Sequence, residues 1–319
     1  MDIAASSDEK VFSPPPKEKV KKIGATEIQK AAEAIHNRRK VTQKIVFTFL
    51  YIAAAINGLA LFIIIFFMLK NGLSAISWTF LTDIPRDAMT KGGIFPCIIG
   101  TVYLSFGAIL VSLPIGVASA IYLNEYARPG RILRIIRLGI NNLAGVPSVV
   151  FGLFGLAFFV IYLKMGVSIA AGALTLGAIT LPVIIGSTEE ALKTVPDTYR
   201  EASLALGATK WQTIWRVVLP AALPGILTGA ILGLSRAAGE TAPIMFTAAA
   251  FFVPEKMPSS IFSKIMALPY HIYVLATAGT EIEATRPLQY GTALVLIGLV
   301  LGMNLLAIIW RSRLRRKLK

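Results

Sequence analysis

Six apolar stretches, each roughly twenty residues or longer, run through this chain, and they leave few folds open. They lie at 45–69, 94–123, 139–163, 167–188, 221–249 and 288–310. At about 1.5 Å of rise per residue, each is long enough as a helix to cross about 30 Å of hydrocarbon. Backbone N–H and C=O groups must bond within the protein there, which favours helices for stretches of this length. The expected fold class is therefore all-α, a polytopic membrane protein with six transmembrane helices. Glycine and proline inside the stretches, such as Gly145, Pro147, Gly152, Pro182 and Gly186, suit close helix approach and local kinks.

Charge supports the same reading. The chain is 55% hydrophobic and 15% charged, with a mean hydropathy of +0.69. Its net charge is +15. A basic chain can bind nucleic acid, but here the Lys and Arg residues flank apolar spans, which fits retention on one side of a membrane and no nucleic-acid partner. Residues 1–44, 124–138, 189–218 and 311–319 hold twenty-four of the thirty-two Lys and Arg residues. The alternating segments 70–93, 164–166 and 250–287 hold seven. Six spans place both termini and both basic loops on one side, and the bias makes that side the cytoplasm.

The remaining landmarks exclude several functions. Cys97 is the only cysteine, and His36 and His271 are the only histidines, far apart in sequence, so no metal site is expected. Cys97 should pack near a helix mouth. Residues 1–44 form a tail in which Pro14, Pro15 and Pro16 break any helix. The first apolar stretch begins behind this charged tail, so the N-terminus is expected to be retained. A weak stripe of Val20, Ile23, Ile28, Ala31 and Ile35 suits either a helix on the membrane surface or a solvated, partly helical tail. The external segment 250–287 is partly apolar, and Pro258 and Pro269 interrupt it, which suits an interfacial or re-entrant helix. No duplicated half signals an inverted-repeat transporter.

The loop 189–220 carries the most specific pattern. It reads Glu201-Ala202-Ser203, three residues, Gly207, nine residues, Val217, one residue, then Leu219-Pro220. Tyr199–Leu206 can form a short helix that Gly207 ends in a left-handed conformation. A second helix over Lys210–Val218 then leads to a span at Pro220. The pattern resembles the ATPase-coupling loop of ABC importer permeases, with Ser203 and Val217 as mild departures. Three further segments, Lys91–Thr101, Gly145–Leu153 and Ser235–Pro243, together resemble the phosphate-specific permeases, and the last resembles their A-type subunit. The resemblance spans residues 45–310, the six-span permease domain, and leaves out the tail 1–44 and the basic end 311–319.

That resemblance implies a type I ABC importer permease fold in the bacterial inner membrane. It implies a homologous second permease, two ATP-binding subunits, an external phosphate-binding protein, inorganic phosphate as cargo, and membrane lipid around the chain. It places Glu201, Ala202, Gly207, Leu219 and Pro220 at the ATPase interface. No Gly-rich loop ending in Gly-Lys-Ser/Thr occurs, because Gly207-Ala208-Thr209-Lys210 has the wrong order. The chain is therefore expected to be no enzyme and to hold no cofactor, with ATP and Mg on a partner ATPase.

Arg236 and Glu240 are charges within an apolar span. A lone charge at the bilayer centre costs about 2.5–3.5 kcal/mol on insertion scales, so such residues usually face a cavity or partner. Sixteen residues beyond Pro220, roughly 24 Å of helix, put Arg236 in the outer half of the membrane. Glu240, four residues on, is expected on the same helix face. The pair is either a structural ion pair or part of a phosphate path, and the resemblance implies the second. Ser148, beside a kink at Pro147, and Thr241 complete the expected path. The competing readings are a permease for another oxyanion, molybdate or sulfate, and a non-transporting membrane scaffold.

Overall fold

A computed structural model describes residues 25–278 and 282–317. Contacts divide the chain into two units, 1–64 and 65–319. In the first, the chain is helical from Ala25, in α1 (Ala25–Gly72), and Phe49, Ile52 and Leu59 are exposed as lipid-facing side chains would be. Val20 and Ile23 of the expected stripe lie outside the described residues.

Among the described residues the second unit holds the end of α1 and eleven further α-helices. These are α2 (Trp78–Thr82), α3 (Phe95–Ile121), α4 (Arg131–Leu143), α5 (Ser148–Gly155) and α6 (Ile169–Lys193). They continue as α7 (Asp197–Ala205), α8 (Lys210–Thr213), α9 (Leu219–Gly239), α10 (Ala242–Thr247), α11 (Leu268–Thr277) and α12 (Ile282–Lys317). A small antiparallel pair, β1 (Pro85–Arg86) and β2 (Lys91–Gly92), sits between α2 and α3. Among the described residues, five helices are long and apolar enough to cross a membrane. A sixth crossing exists if the bent pair α4–α5 counts as one.

The centre is a bundle of α3, α6 and α9. Residues such as Leu104, Leu176, Ile184 and Ile226 are buried in it. Buried hydroxyls bond back to helix carbonyls, as Ser112 does to Ala108 and Thr175 to Ala171. Thr180 also donates to Ser112 Oγ at 3.1 Å and ties α6 to α3. These three hydroxyls are thus satisfied without water, whereas the buried Thr188 Oγ1 has no partner among the described residues.

Three expected elements differ in shape. The third span is not straight, since its two helices meet at 97°. Val146 precedes a proline, which disfavours helical torsions, and Pro147 has no N–H to donate, so the helix stops and restarts at Ser148. The fifth span ends at Gly239 and not near 249. Pro243 cannot continue a helix past the carbonyl four residues earlier, and Glu240 turns extended. The helix expected over 210–218 does not stop before Pro220. It passes through a π-helical turn at Ile214–Val218 straight into α9. The wider turn accommodates a proline that has no N–H to contribute.

The segment 250–267 folds back as a built part of the bundle. Ile265, Met266, Ala267 and Leu268 are buried. Met266 and Leu268 share a cluster with Phe80, Ile94 and Cys97, so Cys97 packs at a helix mouth as expected. Ile265 N–H donates to Ala248 O, and Ile169 and Ala170 at the start of α6 donate to Ser263 O and Ile261 O. Thr101 holds the turn into α11: its Oγ1 accepts from Leu268 N–H at 2.9 Å and donates to Cys97 O at 2.8 Å. Thr101→Val keeps the shape and removes the acceptor, which leaves a buried amide unpaired at a cost of about 1–3 kcal/mol. The expected result is a lower thermal midpoint of the purified protein in detergent. An unchanged midpoint would show that Thr101 does not hold this turn.

Candidate functional site: a charged helix end and a docking loop

Arg236 lies in the last turn of α9, and Glu240 is the first residue beyond that helix. Arg236 Nε stands 3.6 Å from Glu240 Oε1, an ionic contact too long for a hydrogen bond. The arginine side chain is 38% exposed and the glutamate 17%. The expected pairing is present, but Glu240 reaches it from an extended residue and not from the same helix. Cation and helix C-terminus also attract one another here. The guanidinium keeps open surface, so an anion can reach its donors without first breaking a tight pair.

The breaks gather around this pair. Thr241 joins Glu240 to α10. Helix α10 packs on α5, where a Cβ on Gly152 would stand 2.9 Å from Pro243 Cα and from the Phe246 ring. Glycine is needed for that approach. Val146, two residues before Ser148, packs against the cluster that holds Ala237, Phe151 and Ile244. Ser148 is half-buried at the first turn of α5. Arg236, Glu240 and Thr241 are therefore contiguous, and Ser148 stands on the neighbouring element.

The second set forms the turn between α7 and α8. Gly207 has φ +82°, and its N–H donates to Leu204 O while Ala208 N–H donates to Ser203 O. These two bonds form a Schellman motif, which requires a left-handed residue at Gly207. Thr209 and Gln212 then form a capping box that starts α8. Ser203 Oγ lies 2.9 Å from Thr213 Oγ1 and links the two helices, a bond alanine could not make. Glu201, Ala202 and Gly207 are exposed, and Leu206 is 90% exposed. Leu219 and Pro220 are half-buried in the start of α9, so they belong to the wall of the bundle and not to the exposed turn.

The residues that fasten this turn to the bundle escaped sequence reasoning. Arg200 Nη2 lies 2.8 Å from Glu125 Oε1, with side chains only 17% and 8% exposed. The same guanidinium donates to Val195 O at 2.7 Å and Leu192 O at 3.0 Å, satisfying carbonyls near the end of α6. Glu125 sits in a π-helical turn, Tyr122–Tyr126, that ends α3. The available signal was a single acid, Glu125, in a loop with four arginines. His271 is buried, and burial pulls its pKa down to about 4. Among the described residues no group of three or more His, Cys, Asp or Glu could hold a metal ion.

Comparison with known proteins bears on the family and the fold. Residues 112–319 match the family described as binding-protein-dependent transport system inner membrane component. The chain is 34% identical over 280 residues to the probable ABC transporter permease protein YqgI of Bacillus subtilis, covering 84% of this chain and 95% of that one. It is 33% identical over 275 residues to the phosphate transport system permease protein PstA of Xylella fastidiosa, covering 86% and 94%. A solved structure of the MetNI methionine ABC transporter, in an inward-facing conformation, matches with TM-score 0.51 and 21% identity over 71% of this chain and 94% of that one. At that identity the likeness concerns the fold alone.

Gly207→Val forces a β-branched residue into left-handed torsions, though the space beyond its Cβ is open. The expected outcome is loss of the Schellman bonds, read as at least roughly tenfold faster hydrogen exchange at the Ala208 amide with α9 still protected. Unchanged exchange at Ala208 would contradict the strain assigned to this position.

Proposed function

This chain belongs to the family of binding-protein-dependent transport system inner membrane components, and we propose on that premise that it is a permease subunit importing inorganic phosphate. Its all-helical ABC importer permease fold and multi-pass membrane character follow from the family and the spans. The phosphate assignment is supported by relatives named as phosphate transport permeases. The observation that carries it is Arg236, more than a third exposed at the end of an apolar helix, with the Glu240 carboxylate held 3.6 Å away.

A phosphate anion entering the bundle loses water. The Arg236 guanidinium replaces part of that hydration with directed, charge-assisted hydrogen bonds. Glu240 weakens the attraction enough for release, or accepts a hydrogen bond from a protonated phosphate oxygen. Ser148 and Thr241, on the adjoining breaks, offer hydroxyls along the same route. Carbonyls freed where helices break add acceptors, which discourage a bare anion from resting there.

In this reading the basic end of the bundle, with both termini and the 189–220 loop, faces the cytoplasm. The exposed turn of Glu201, Ala202, Leu206 and Gly207 docks into a separate ATP-binding subunit, and two such subunits serve a pair of homologous permeases. ATP and magnesium belong to those subunits. An external phosphate-binding protein delivers cargo to the opposite end.

The test is uptake of labelled phosphate by proteoliposomes holding the whole complex. Uptake is expected to require ATP inside and the binding protein outside, and to resist a tenfold excess, roughly, of sulfate or molybdate. Uptake of sulfate or molybdate in place of phosphate would overturn the cargo. ATP turnover with no solute moved would favour a scaffold.

A further inference from the structure

Two arginines embrace the π-helical turn that ends α3. Arg200, on the docking helix α7, reaches Glu125 within that turn, Leu192 O near the end of α6 and Val195 O just beyond it. Arg137, on α4, donates to Leu123 O of the same turn at 3.3 Å and faces Glu189 of α6, with Nε 3.5 Å from Oε2. The turn 122–126 and the end of α6 are therefore held from one side by the docking helix and from the other by the first half of the bent α4–α5 element. The second half, α5, carries Ser148 and packs on α10 beside Glu240 and Thr241. These residues thus form one continuous mechanical line from the docking turn to the candidate anion path.

The two joints are built differently. At Arg200 the guanidinium has two carbonyls, Glu125 and Asp197 as partners, and Glu125 Oε1 also accepts from Asn124 Nδ2. Satisfaction of that kind makes a fixed joint. At Arg137 the pair is half-made: Arg137 Nε and Glu189 Oε1 are buried without a hydrogen-bond partner. A cavity of about 310 Å³, lined by Arg137, Asn141, Glu189 and Lys193 among others, opens beside them. Buried polar atoms left unpaired next to open volume favour an arrangement that can be remade when α4 shifts.

We infer that Arg200 with Glu125, and Arg137 with Glu189, are positioning pairs that carry displacement of the docking helix to the bent α4–α5 element, the first as a fixed joint and the second as a movable one. The inference rests on the permease reading above. The role inferred for the four residues is coupling through the helices they join: how much solute moves for each ATP hydrolysed. A merely structural role would change how much complex assembles, so uptake and hydrolysis would fall together. A coupling role separates them, because the ATP-binding subunits keep turning over while α5 no longer follows.

The test is the ratio of phosphate moved to ATP hydrolysed, measured in proteoliposomes of the whole complex at matched abundance, for Glu125→Gln and Glu189→Gln. Each variant is close to the parent in shape and removes one charge. The expected result is a ratio lowered roughly fivefold or more, with ATP hydrolysis largely retained. An unchanged ratio in Glu189→Gln overturns the movable joint, and an unchanged ratio in both overturns the inference. Should Glu125→Gln fail to assemble, Glu125→Asp carries the same expectation and the same contrary outcome. If the wild-type complex moves sulfate or molybdate instead, the cargo reading fails, and the ratio taken with that anion still decides the joint.

Discussion

Hydrocarbon offers no partner to a backbone amide or carbonyl, and that single constraint orders this structure. Wherever the chain must leave a helix, the freed groups need cover from protein. The break at 144–147 meets this with local turn bonds, Gly145 N–H to Asn142 O and Val146 N–H to Leu143 O, and Glu240 N–H bonds Ala237 O, while α5 packs on α10 with Gly152 allowing the close approach to Pro243. The segment before α11 satisfies it through Thr101 and the carbonyls of Ala248, Ser263 and Ile261. Between these segments the central helices α3, α6 and α9 run unbroken.

Charge follows the same economy. The Arg200–Glu125 contact removes two ions from water, a loss their mutual attraction offsets only when further hydrogen bonds complete each group. Here the carbonyls of Leu192 and Val195 complete the guanidinium. The Arg236–Glu240 pair has no such completion among the described residues and keeps more surface. One arrangement suits a joint that should not move. The other suits the cargo-binding role proposed for Arg236.

Much of this was legible in the residues. Apolar length located the crossings, and proline with glycine marked the break before Ser148. The spacing from Glu201 to Pro220 located a helix-turn-helix in which Gly207 has the left-handed torsions that end the first helix. What was not legible depended on partners distant in sequence. Glu125 and Arg200 are 75 residues apart, and Thr101 and Leu268 are 167 apart. No local periodicity reports such meetings. The end of the fifth span was misplaced because apolar residues continue past Gly239, and hydropathy does not register the backbone veto of Pro243. The 97° bend has the same origin, since the proline signals a break but not its angle.

The central claim is that Arg236 and Glu240 serve the cargo and not merely the fold. The most direct measurement is phosphate uptake by a complex carrying Arg236→Gln and Glu240→Gln together, at membrane abundance matched to the parent. The double change removes the ion pair without leaving either charge unpaired, so a purely structural pair tolerates it. The account predicts that assembly is preserved and uptake falls by roughly a hundredfold, the scale of losing one preorganised charged donor. Near-normal uptake would contradict it.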